Sequence, residues 1–394
     1  MSTACETAGV AHVSPHGASG GDRVTVCQVL HSLNIGGAEV LAARISRELS
    51  DRFRFVFACL DELGTLGAEL QSEGYPVEVL DRRPGFDRRG ARRLAAWFRS
   101  QHVNVIHAHQ YTPFFYCLAS GMLRRRPPVL FTEHGRWFPD YPRRKRMLFN
   151  RLFLRATDRV VAVGEHVRQA LIVNEGIPAG RVELVYNGVD LDRFCASEGR
   201  RDEIRRTLGL HEGDFAILQV ARLDALKDHR TAVCALAATL PSAPNAVLLI
   251  AGEGPEEAIV REEIARQGVG QRVRMLGLRR DVPQLVAAAD AFLLTSISEG
   301  IPVTLIEAMA ARLPIVSTRA GGVGEVVVDG ETGRLADPGD AATLAEALAE
   351  LANAPELRCA MGAAGRQRAE AMFTQSQMTA SYAALYEELA RVGK

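Results

Sequence analysis

No apolar run in this sequence approaches the roughly 20 residues that span a bilayer, which argues against a membrane-crossing helix. Paired cysteines are missing too. Cys5, Cys27, Cys59, Cys117, Cys195, Cys234 and Cys359 are an odd, scattered set with no C-x-x-C pair, which argues against a disulfide framework and a zinc ribbon. Cys27, Cys59 and Cys117 fall in apolar segments and read as buried thiols of a reducing cytoplasm. The chain carries no net charge, with 47 Lys and Arg against 47 Asp and Glu, so nucleic acid is not an expected partner. The dinucleotide fingerprint G-x-G-x-x-G is absent, which disfavours a nicotinamide dehydrogenase. The first twenty residues lack a basic start and an apolar core. Residues 1–21 therefore read as a disordered leader and not as a secretion signal.

What is present is length, alternation and local charge. At 394 residues the chain is too long for one ordinary core, so two domains are expected. Probable strands at Val24–Leu30, Arg54–Leu60, Pro76–Leu80, Val103–His107, Val129–Thr132, Arg159–Val163 and Val182–Val185 alternate with helix-length segments such as Ala38–Leu49, Arg88–Gln101, Pro142–Thr157 and Glu165–Asn174. Strands that alternate with helices imply parallel sheets covered on both faces. Regularity fails around Tyr186–Leu210 and restarts at Phe215–Ala221, with further strands at Ala246–Ala251, Val273–Leu276, Ala291–Thr295 and Ile315–Ser317. The reading is a first domain over 22–190, a linker over 191–213 and a second domain over 214–374. Three closing helices, Ala341–Asn353, Pro355–Met372 and Gln375–Arg391, have no strands between them, and the last could pack back on the first domain. In tandem parallel-sheet domains, ligands collect between the carboxyl ends of the strands.

Four patterns carry chemistry. Arg222 and Lys227 follow the strand Phe215–Ala221. Alone they read as a loop with two solvated cations; paired with acids they suit a diphosphate clamp. Glu299 and Glu307 flank a strand-to-helix turn, where N–H groups of Gly300, Ile301, Pro302, Val303 and Thr304 (proline excepted) would face phosphate. Glu307 lies in the otherwise apolar stretch Leu305–Ala310, where a carboxylate needs a partner. Gly36-Gly37 opens a helix after the first strand and reads either as a tight turn or as close approach to a ligand. His107, His109 and His134 stand near strand ends. His134, before a glycine, is the best placed to touch a sugar; each is otherwise a satisfied structural histidine. No carboxylate or cysteine completes a metal site around His107-Ala108-His109, so no metal and no cofactor are expected.

Charge is uneven. Residues 82–159 hold 18 Lys and Arg against four acids. Within that basic tract the segment 143–155, with Met147, Leu148, Leu152 and Phe153 at helical spacing, reads either as a contact for an anionic membrane surface or as a core-packed helix with solvated arginines.

The ordered motifs Gly36-Gly37-Ala38-Glu39, His107-Ala108-His109, Thr132-Glu133-His134, Asn187-Gly188-Val189-Asp190, Arg222 with Lys227, Gly252-Glu253-Gly254-Pro255 and Glu299 to Glu307 resemble the family 4 retaining glycosyltransferases, from about Thr25 to Glu388. That resemblance implies the GT-B fold: two facing Rossmann-like α/β domains with parallel sheets and an interdomain cleft. It implies transfer of a hexosyl-type group from a UDP- or GDP-sugar to an acceptor hydroxyl, without a bound metal. It also assigns roles: Arg222 and Lys227 to the diphosphate, Glu307 to the ribose, Glu299 and His134 to the transferred sugar, residues 300–304 and Gly37 to phosphate, and Gly36 and His109 to the acceptor side. Gly164 departs from the family's usual serine and leaves a helix without a side-chain cap. A lipid-linked or polysaccharide acceptor and a cytoplasmic, peripheral-membrane location fit the basic first half. A nucleotide-sugar epimerase and a non-catalytic sugar-nucleotide-binding scaffold are the rival readings.

Overall fold

A computed structural model describes residues 23–121, 126–135, 139–194 and 200–393. The leader, the basic pair Arg124-Arg125, and Cys195 and Glu198 lie outside the described residues. Among the described residues, thirteen strands form two parallel sheets, one of seven strands and one of six. The first contains β1 Thr25–Ser32, β2 Arg54–Glu62, β3 Val77–Val79, β4 Val105–His109, β5 Val129–Glu133, β6 Arg159–Ala162 and β7 Val182–Leu184, in the order β3-β2-β1-β4-β5-β6-β7. The second contains β8 Phe215–Val220, β9 Ala246–Ala251, β10 Val273–Gly277, β11 Ala291–Leu294, β12 Ile315–Thr318 and β13 Gly333–Ala336, in the order β10-β9-β8-β11-β12-β13. In both, order reverses beside the first strand, the switch point at which open α/β sheets bind ligands.

The strands are apolar runs because both faces are covered by helices. Every residue of β9 is buried, and Phe292, Leu293 and Leu294 of β11 are fully so. Below the second sheet, Phe215, Ile217, Val233, Leu236, Leu248, Ile250 and Leu348 share one core. The chain groups into two compact units. One runs through Phe131 and includes Arg155–Asp158 and the chain from Leu385 onward; the other comprises Thr132–Leu154 and Arg159–Ala384.

Three local features differ from the sequence expectation. The edge strand β13 was not anticipated, because Gly-Arg-Leu-Ala has no β-branched residue. Its Gly333 lies where a Cβ would collide with the Ile315 carbonyl of β12, so the close pairing itself requires glycine. The span expected as linker contains a helix, Arg201–Thr207. Arg201 and Arg205 bind the Asp290 carboxylate at 2.8 and 3.1 Å, and their guanidinium N–H groups also reach the carbonyls of residues 287–289 and of Asp214. The basic helix is shorter than 142–157 and covers Arg144–Phe153. It stops because Leu154 is extended and the buried Asp158 carboxylate takes the Arg155 amide at 2.7 Å.

Candidate functional site

The chemistry collects at the carboxyl ends of the adjacent parallel strands β8 and β11. After β8 the chain passes Arg222 and Leu223 into a short turn. There Asp224 accepts the Leu226 amide at 3.0 Å, and Asp228 adopts a left-handed conformation with φ 44°. That strained backbone is tied down. The Thr295 hydroxyl, just past β11, lies 3.0 and 2.9 Å from the carbonyl oxygens of Lys227 and Asp228. It accepts from the buried Gln219 amide at 3.1 Å. Ile297 N–H adds a bond of 2.8 Å to the Leu226 carbonyl. The Gly252-Glu253-Gly254-Pro255 loop packs against the same turn: Leu223 N–H donates to the Glu253 carbonyl at 3.0 Å, and a Cβ on Gly254 would strike the Leu223 carbonyl.

These restraints aim Lys227 at Glu299. Its ammonium lies 2.6 Å from Glu299 Oε1, which also accepts from the Ser296 hydroxyl at 2.6 Å. The side chains retain 25% and 10% of their exposure, so the pair is sheltered but reachable. Arg222 is exposed and makes no ion pair among the described residues. An exposed guanidinium on a hydrogen-bonded loop, free of a carboxylate, is available to an anion.

Glu299 and Gly300 run between two neighbouring backbones. On one side, a Cβ on Gly300 would collide with the His134 carbonyl. On the other, Gly321 (φ 52°) and Gly322 lie against the carbonyls of Glu299 and Gly300 so closely that a side chain would not fit. Asn187 steadies the next residue, its amide donating to the Ile301 carbonyl at 3.2 Å. The helix Val303–Ala310 then begins after Pro302 with no side-chain cap. Its first N–H groups and dipole favour an anion. Glu307 follows on that helix, half-buried between the fully buried Ile306 and Ala308.

His134 is half-buried, and loss of water around its ring lowers its pKa to about 4, which leaves the imidazole neutral at pH 7. The other expected residues belong to the first compact unit. Gly36 caps the helix Gly37–Glu48 in extended conformation, and a Cβ on Gly37 would meet nothing within 4 Å. His109 is 1% exposed, with Nε2 2.7 Å from Gln28 Oε1. His107 Nδ1 lies 2.7 Å from the Tyr386 hydroxyl, which also accepts from Gln28 at 3.3 Å. His-x-His is thus part of a closed polar network inside that unit, the satisfied structural arrangement.

Sequence reasoning gave Asn187 a place in a motif but no role, and missed Ser296, Thr295, Gln219 and the pair Gly321-Gly322. The last carried a readable signal, since it follows the end of β12 as Gly36-Gly37 follows β1. The partners of Thr295 and Gln219 depend on which strands become neighbours, and no spacing encodes that.

A buried histidine beside the site gives a pH prediction. His229 is 2% exposed, neither ring nitrogen has a hydrogen-bond partner among the described residues, and burial lowers its pKa to about 4. The folded value lies below that of an exposed histidine, about 6.5, so the unfolded chain takes up the proton first. The stability contributed by the neutral ring is complete above pH 6.5 and falls by about 3 kcal/mol as pH drops to 4. Thermal midpoints measured between pH 7 and 4 should therefore decline less in His229→Leu than in the wild type. Parallel curves would refute the assignment.

No group of three or more His, Cys, Asp or Glu among the described residues could hold a metal ion, and no described helix is long and apolar enough to cross a membrane. Residues 200–368 match the family model of glycosyl transferases group 1, and residues 35–193 match glycosyltransferase family 4. The chain is 25% identical over 378 residues to N-acetyl-alpha-D-glucosaminyl L-malate synthase of Bacillus anthracis, covering 92% of this chain and 96% of that one. It is 30% identical over 236 residues to the GDP-mannose-dependent alpha-(1-6)-phosphatidylinositol monomannoside mannosyltransferase of Mycobacterium tuberculosis, covering 58% and 61%. The crystal structure of Anabaena HepE with UDP and glucose superposes with a TM-score of 0.80 at 23% identity, covering 92% of this chain and 99% of that one. With two parallel sheets in this order and both family models matched in sequence, the chain belongs to the group 1, family 4 retaining glycosyltransferases of the GT-B fold, enzymes that use nucleotide-sugar donors.

Proposed function

We propose that this enzyme transfers a hexosyl group from a UDP- or GDP-sugar to a hydroxyl of a lipid-linked or polysaccharide acceptor, with retention of anomeric configuration. The observation that carries the proposal is the sheltered Lys227–Glu299–Ser296 cluster at the carboxyl ends of β8 and β11, ahead of the uncapped helix bearing Glu307.

As the glycosidic bond breaks, the departing nucleoside diphosphate gains negative charge. Arg222, Lys227 and the N–H groups of residues 300–304 stabilise that charge, which lowers the barrier by more than it lowers the ground state. Glu307 accepts from the nucleotide ribose. Glu299 holds hydroxyls of the transferred sugar, and its pairing with Lys227 keeps the carboxylate aimed. His134, neutral at pH 7, contacts the sugar without adding charge near the leaving group. Gly36 and Gly37 serve the phosphate or acceptor from the first domain. Attack comes from the face the diphosphate leaves, and no resident metal is required. The first domain of this enzyme is proposed to span 22–190 and the second 214–374.

Two relatives support the choice of donor. The Anabaena structures contain UDP or UDP-glucose, and the mycobacterial relative is GDP-mannose-dependent. A panel of UDP- and GDP-hexoses, scored first by thermal shift and then by nucleoside diphosphate released with an acceptor, tests the proposal. Stabilisation by one donor, with release only when acceptor is added and undiminished by EDTA, is expected. A new sugar nucleotide formed from donor alone would favour an epimerase, and tight binding without turnover would favour a scaffold.

A cytoplasmic, peripheral-membrane setting rests on the helix Arg144–Phe153. Leu148 and Leu152 are 61% and 66% exposed there, beside exposed Arg144, Lys145 and Arg151. A groove of about 490 Å³ lies alongside, lined by Met147, Leu148, Leu154, Arg151 and Arg181 among others. Arg146 instead faces inward and pairs at 2.9 Å with the Glu175 carboxylate, whose side chain has no exposure. Replacing Arg144, Lys145 and Arg151 with glutamine should therefore abolish sedimentation with phosphatidylglycerol vesicles while preserving the fold. Unchanged sedimentation would remove the membrane from the proposal.

A further inference from the structure

The helix Glu165–Glu175 starts at Gly164, which has no side chain to cap it. Its first amides are nevertheless satisfied from a distant part of the chain. The Glu325 carboxylate accepts Glu165 N–H at 2.6 Å and His166 N–H at 2.8 Å, and the Tyr186 hydroxyl at 3.1 Å. A carboxylate at a helix N-terminus gains from both the orphan donors and the dipole. The same charge pushes Tyr186 up to about 12, with burial the larger cause.

Glycine at 164 is what this arrangement demands. A Cβ there would lie 2.8 Å from Ile301 Cδ1 and Cγ1 and 3.1 Å from Glu325 Oε1. A serine, the residue expected from family resemblance, would cap the helix only by displacing both. Ile301 is 4% exposed and immediately follows Glu299 and Gly300. Glu325 is bound to the opposite side of that segment. Its amide donates to the Gly322 carbonyl at 3.0 Å, Gly322 N–H reaches the Glu299 carbonyl at 3.3 Å, and Gly321-Gly322 stacks directly on residues 299–300. Arg368 holds the Glu325 and Val326 carbonyls at 2.7 and 2.9 Å, so the turn bearing the carboxylate is anchored at its far end.

We infer that Glu325 is a positioning residue for the sugar-donor segment. By capping the helix that glycine leaves uncapped, it clamps Gly164 onto Ile301 and presses the Gly321-Gly322 turn onto Glu299-Gly300, which sets where the backbone N–H groups of residues 300–304 point. The inference rests on the reading of residues 299–304 as the sugar-donor segment. Glu325 itself touches no substrate; it acts through Ile301 and the glycine turn. The replacement of a local serine cap by a carboxylate from another element couples helix stability to the geometry of the phosphate-binding turn.

The test compares Glu325→Gln and Glu325→Ala with Glu299→Gln, using UDP and GDP as probes by titration calorimetry and amide hydrogen exchange on the unliganded proteins. The Glu325 variants should weaken binding of the preferred diphosphate about tenfold, as expected for a lost charge-assisted hydrogen-bond set. They should raise donor KM while leaving acceptor KM unchanged, and speed exchange across 164–167 and 296–303 with the rest of the molecule protected. Glu325→Gln, which keeps one acceptor oxygen, should fall between Glu325→Ala and wild type. A uniform loss of protection, or unchanged diphosphate binding in both variants, would overturn the inference and leave the cap as plain helix stabilisation. Should UDP and GDP fail to bind even the wild type, or should Glu299→Gln leave donor KM unaltered while the Glu325 variants raise it, the reading of the segment is at fault and the role assigned to Glu325 falls with it.

Discussion

Lys227→Ala lowers kcat/KM by about 10²- to 10³-fold, the range seen when one preorganised group facing developing charge is removed, or about 2.7–4 kcal/mol of transition-state stabilisation. Two effects combine. In the proposed function the diphosphate loses one of its two cations, and Glu299, with 10% of its side-chain exposure, loses the ammonium 2.6 Å away. Ser296 still donates to that carboxylate, so the acid keeps one partner and the fold survives. Lys227→Arg keeps the charge but places it on a larger, planar group, so partial recovery is expected. Steady-state kinetics with circular dichroism on the purified variants checks this. Turnover within threefold of wild type in Lys227→Ala would remove the ion pair from the catalytic machinery.

Glu307→Ala should reduce kcat/KM by about 10- to 100-fold through the loss of the carboxylate proposed to bind the ribose. The helix Val303–Ala310 is packed by Leu305, Ile306, Met309 and Ala310, all fully buried, so alanine at 307 leaves the core intact. The decisive readout is discrimination between ribose and deoxyribose. Wild type should bind UDP more tightly than 2′-deoxy-UDP, and the variant should bind both alike. Retained discrimination in Glu307→Ala would assign the ribose to another group.

These predictions and the clamp at Glu325 share a physical origin. The turn proposed to bind the donor is fixed largely by backbone contacts, since Gly300 must lie against the His134 carbonyl and Gly321-Gly322 against residues 299–300. Backbone packed on backbone is rigid only while its neighbours stay in place. Asn187, Thr295 and Glu325 supply the hydrogen bonds that keep them there.

All strand positions but β13, and the parallel α/β class, were legible in the sequence, as were the charged residues Arg222, Lys227, Glu299 and Glu307 proposed for the site. Apolar runs report burial on both faces, and charged residues just past a strand stand out against them. Ala246–Ala251, Ala341–Asn353 and Pro355–Met372 were read with the bounds the structure has. What could not be read was whatever depends on which elements become neighbours. His107 and His109 carried the same local pattern as His134. Only tertiary contact separates them, because Tyr386, 279 residues beyond His107, supplies its partner. Gly164 read as a lost cap because the replacement, Glu325, lies 160 residues from the amide of Glu165 that it accepts. The sequence alone determined the class of fold and the charges that stand just past its strands, since those follow from periodicity and residue type. The tertiary structure alone decided which polar groups are spent on one another and which remain for a ligand, because hydrogen-bond satisfaction belongs to pairs and not to residues.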